Sequence, residues 1–96
     1  MSLDNGVFIL ILKSENPNYE YEYRVAHAHA MENIFQDPDT LIETFQNSNI
    51  HYDQRTAKNE ATKIDYLEAT EYGVAILNQF TEYTWSDIAN ITGVIW

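Results

Sequence analysis

The chain contains no cysteine. That excludes a disulfide framework, a thiolate nucleophile, a CxxC redox pair and a sulfur-ligated zinc site, and it fits a reducing compartment. Positive charge is nearly as scarce: 5 Lys and Arg stand against 15 Asp and Glu, for a formal charge of −10 in 96 residues. Duplex nucleic acid and anionic lipid are bound by neutralising phosphate with Lys and Arg. Here Lys13, Arg24, Arg55, Lys58 and Lys63 are scattered among three times as many acids. Direct nucleic-acid binding and membrane binding are therefore not expected. The three glycines, Gly6, Gly73 and Gly93, are isolated, so no phosphate-cradling loop is present. The longest apolar run, Val7 to Leu12, has six residues, against about 20 for a helix that crosses a bilayer. Asp4 precedes that run and no Lys or Arg does, which is unlike a signal peptide; a cytoplasmic location is expected.

What is present is enough apolar material to fold. Hydrophobic residues make up 45% and aromatic residues 14% of the chain, too much for a disordered acidic tail. The length suits one domain, residues 1–96, burying about 65% of its unfolded surface. Stability is thin at that size, and self-association would widen the margin.

Val7 to Leu12 is apolar at every position, the pattern of a central strand covered on both faces. Ser14-Glu15-Asn16-Pro17-Asn18 is turn chemistry. A second strand, about Tyr19 to His27, then alternates with period two. It places Tyr19, Tyr21, Tyr23, Val25 and His27 on one face and Glu20, Glu22, Arg24 and Ala26 on the other. Helical spacing begins near His29 with Met31, Ile34 and Phe35. It restarts at Asp37-Pro38, an N-cap and first-turn proline, ahead of Leu41, Ile42 and Phe45. Ile50 to Asp53 is a short strand. Thr56 is the expected cap of a helix over about Ala57 to Ala69, with a stripe at Ala57, Ala61, Ile64 and Leu67/Glu68.

Tyr72 to Phe80 reads as another interior strand, so that Ile50 to Phe80 forms a parallel crossover if both strands share a sheet. In the last sixteen residues, Ser86-Asp87 can start a helical turn carrying Ile88, and Thr92-Gly93 can lead into a terminal strand Val94-Ile95-Trp96. The expected fold class is α+β: a single mixed or mostly antiparallel sheet of about four strands, in the order β-β-α-α-β-α-β, with helices packed on one face.

Little in this pattern carries chemistry. His27 and His29, two apart at a strand end, would project from one face about 7 Å apart, and His51 or Glu32 would complete a three-ligand metal site. The plainer reading is a structural role for these histidines. The four serines lie outside any nucleophile elbow, and 15 acids guarantee close carboxylate pairs without an apolar pocket to tune them. No catalytic residue and no cofactor are expected. The tyrosines at 19, 21 and 23 read as a core wall rather than a base-stacking platform, given the charge.

Binding is the better expectation. If the helices cover one sheet face, the other needs cover from residues 81–96 or from a second chain. Trp85, Ile88, Ile91 and Trp96, with Phe8 and Leu10, are the candidate interface residues. The expected function is a non-catalytic protein–protein interaction domain acting as a homo-oligomer. An alternative is an acidic mimic of nucleic acid, of the kind small phage proteins provide, binding another protein with a basic surface. In that reading Glu20 and Glu22, about 7 Å apart on a strand, stand for successive phosphates.

Overall fold

The computed structural model describes residues 5–29 and 38–92. The expected helix at Met31, Ile34 and Phe35, the Asp37 cap, Glu32 and the terminal strand Val94-Ile95-Trp96 lie outside the described residues. Within them the chain runs β1 (Asn5–Lys13), β2 (Tyr21–His29), α1 (Pro38–Phe45), β3 (Ile50–His51), α2 (Gln54–Glu68), β4 (Val74–Leu77) and α3 (Trp85–Thr92). The strands form one four-stranded sheet in the order β3-β2-β1-β4. This is the α+β mixed sheet that the sequence indicates.

β1 and β2 are antiparallel, from Asn5 opposite His29 to Lys13 opposite Tyr21. Their connection is fixed locally: the Ser14 N–H donates to Glu20 O, and the Asn18 N–H donates to the Asn16 side chain. Pairing begins at Tyr21 rather than Tyr19 and runs on through His29, so β2 sits two residues later than the alternation suggests. β4 is parallel to β1, and β3 is antiparallel to β2. β3 and β4 therefore run in the same direction on opposite edges, and α2 crosses over the two central strands between them.

The helices divide between both faces of the sheet, which corrects the one-sided packing expected from sequence. Odd-numbered β1 residues Val7 and Ile9 pack with Val25 beneath Ala57 and Ala61 of α2. Even-numbered Phe8, Leu10 and Leu12 pack with Leu41, Ile42 and Phe45 of α1, Leu77 of β4, and Ile88 and Ala89 of α3. The physical reason lies in β1 itself: a strand apolar on both faces needs a layer on each. Small Ala57 and Ala61, both fully buried, let α2 lie close on its side. Each fully buried Leu, Ile or Phe contributes about 1.5 to 3 kcal/mol.

The helix ends are set by side chains. Asp53, not Thr56, caps α2, its carboxylate accepting from the Thr56 N–H and hydroxyl. At the other end Ala69 takes a left-handed conformation, φ 47°, while the Thr70 and Ala69 N–H groups bond Asp65 O and Tyr66 O. α3 opens with a reciprocal capping box, Thr84 N–H to Asp87 and Asp87 N–H to the Thr84 hydroxyl. It extends from Trp85 to Thr92 rather than for a single turn.

Candidate functional site

The proposed interface residues are mostly the chain's own core. Phe8 and Leu10 are fully buried under α1 and α3, and Ile88 is buried with them. Trp85 is half-buried against the same cluster, with the Arg24 guanidinium carbon 3.9 Å from its ring centroid. Trp96 lies outside the described residues, as does the side chain of Ile91. Over β1 and β2 both sheet faces are covered, by α2 on one side and by α1 with α3 on the other, so residues 81–96, one of the two expected sources of cover, supply part of it through α3.

Glu22 does not stand beside Glu20 as a phosphate imitation. It is 3% exposed and accepts from Arg24 Nε at 2.7 Å, on the face that Trp85 covers. The signal missed in the sequence is the Glu22-Arg24 spacing: residues two apart on a strand share a face, so a buried acid has its counter-ion in reach. Glu15 is likewise engaged, accepting from the Ser86 N–H at the start of α3.

The histidines divide into two places. His51 pairs in register with Tyr23, four residues along β2 from His27, or about 13 Å at strand rise. Its Nε2 lies 2.9 Å from a Glu60 carboxylate oxygen of α2. His27 and His29 meet edge to face, ring centroids 5.0 Å apart. Among the described residues no group of three His, Cys, Asp or Glu side chains is placed to hold a metal, so the three-histidine ligand set does not assemble. His27 instead joins a structural junction. Asn5 accepts from the Glu71 N–H through its side-chain oxygen, and its amide nitrogen lies 3.2 Å from His27 Nε2.

Of the tyrosine stripe, only Tyr23 packs against the α2-side core. Burial, and then the Asp53 carboxylate, push its phenol above the usual range. Tyr19 is exposed and stacks on Tyr52, ring centroids 4.3 Å apart.

The surface that stands out is the β4 edge. Val74 and Ile76 face the α2 side, in register with Val7 and Ile9, but α2 lies over β1 and β2 and leaves them 38% and 41% exposed. No strand among the described residues pairs with the outer side of β4. The sequence pattern alone made this an interior strand; the strand order puts it at the rim. Natural edge strands are usually guarded by charge, proline or a bulge. β4 is short, at four residues, but carries neither charge nor proline: Tyr72 to Thr81, ten residues, is the longest stretch without Asp, Glu, Lys or Arg.

No helix among the described residues is long and apolar enough to cross a membrane. The chain matches no protein family model, no curated protein and no solved structure.

Proposed function

We propose that this protein is a non-catalytic protein–protein interaction domain whose first partner is a second copy of itself. The observation that carries the reading is the β4 rim, where a strand without charge or proline and with two exposed β-branched side chains lies in the longest charge-free stretch of the chain. A chain of charge −10 repels its own copies across most of its surface. A neutral, apolar rim is where two copies approach at least electrostatic cost. Burying it also supplies apolar contact area to a small domain with a thin margin of stability.

Light scattering coupled to size-exclusion chromatography tests the reading across a roughly fifty-fold concentration range. A mass that rises from that of one 11.2 kDa chain towards an oligomer supports it. A mass fixed at one chain throughout rejects it.

A further inference from the structure

Taking self-association as proposed, we infer that two copies pair β4 to β4 in antiparallel register about a two-fold axis through Ala75, joining their sheets into one. The backbone fixes which groups are available. The Val7 N–H donates to Gly73 O at 2.8 Å, and Val7 and Ile9 stand in register with Val74 and Ile76. In a parallel ladder the residues flanking each registered position make the bonds, so Gly73, Ala75 and Leu77 face β1. The N–H and C=O groups of Val74 and Ile76 point the other way, off the edge.

A two-fold axis through Ala75 sets Val74 opposite the partner's Ile76, and Ile76 opposite the partner's Val74. Both are then hydrogen-bonded pairs of an antiparallel ladder, each exchanging two N–H to C=O bonds. Ala75 meets the partner's Ala75 as the non-bonded pair, where Cα atoms approach to about 4.5 Å and a small side chain is favoured. The same register places Val74 and Ile76 beside their partner counterparts on the α2 face, so the two exposed side chains cover each other. A register centred on Val74 would recruit Tyr72, whose N–H already donates to Asn5 O. The outward backbone groups and the exposed apolar side chains thus belong to the same two residues, and a two-fold axis exchanges them. That self-complementarity, with no charge on the strand, selects a second copy over a charged peptide as the occupant.

Two variants test the pairing. Ile76→Lys alters a side chain already exposed and lowers the overall negative charge, so lost association comes from the β4 contact itself and not from greater overall repulsion between copies. It is expected to keep the native circular dichroism and to weaken association at least about tenfold. Because the chain has no cysteine, Ala75→Cys carries a single thiol, and Cα atoms at the non-bonded separation are within disulfide reach. Mild oxidation is expected to give a covalent dimer for Ala75→Cys and not for Asn59→Cys on the exposed side of α2. If the wild type associates but Ile76→Lys does so equally well, or Ala75→Cys cross-links no faster than Asn59→Cys, the pairing is overturned and self-association stands. A wild type monomeric at every concentration overturns both, and leaves the edge to a strand from another protein.

Discussion

Arg24 sits against the Trp85 ring, its guanidinium carbon 3.9 Å from the ring centroid, while its Nε holds Glu22 at 2.7 Å. This buried pair sits between the sheet and α3, with side-chain exposures of 8% for Arg24 and 4% for Glu22. Among the described residues no buried side-chain nitrogen or oxygen lacks a partner. Glu22→Gln removes one charge and strands the other under an indole. It is expected to destabilise the fold by about 3 kcal/mol in urea denaturation. The double variant Glu22→Leu/Arg24→Met, which removes both charges, is expected to recover most of that loss. If the single variant unfolds at the wild-type midpoint, the pair is not buried as described.

Ala69 ends α2 in a conformation that costs an L-residue roughly 1 kcal/mol or more. Its exposed side chain makes no compensating core contact, and the Thr70 and Ala69 N–H groups already close the helix end. Ala69→Gly is expected to stabilise the protein by about 1 kcal/mol in the same assay. Destabilisation would show that the helix end is not left-handed at this residue.

Asp53 gives a pH dependence with a definite sign. The Thr56 N–H, then the Thr56 hydroxyl, hold its carboxyl below the usual carboxylate range in the folded state. A folded-state pKa lower than the unfolded one means that the charged cap stabilises fully above the unfolded value. That contribution fades as pH falls through the folded value. Asp53→Asn keeps a capping oxygen but cannot titrate. The melting temperatures of wild type and Asp53→Asn are expected to converge as pH drops below the carboxylate range. A gap that stays constant into acid would contradict the cap.

How much of this was legible in the sequence varies with the physics of each element. Val7 to Leu12 announced a central strand because every position is apolar, and α2 was readable from its alanine stripe. That same all-apolar strand demanded cover on its second face, and of the two sources the sequence offered, residues 81–96 or a second chain, the chain's own α3 supplies it together with α1. Asp53 and Thr56 are both good capping types three residues apart, and only the backbone decides which caps. The edge position of β4 was not legible, because an apolar run of four residues looks the same in the middle of a sheet and at its rim. Burial of Glu22 was hidden for the opposite reason: charge reads as surface until its neutralising partner is seen two residues along.

Self-association through β4 is the central claim, and hydrogen exchange at the Val74 and Ile76 amides reads it most directly. Both N–H groups point off the sheet edge in the single chain and are bonded in the two-fold pair. Measured residue by residue at dilute and concentrated protein, their exchange is predicted to slow as concentration rises. The Ala69 amide, bonded at the end of α2 within one chain, is predicted to show no such change. Equal exchange of Val74 and Ile76 at both concentrations, in a sample whose mass shows association, would contradict the account.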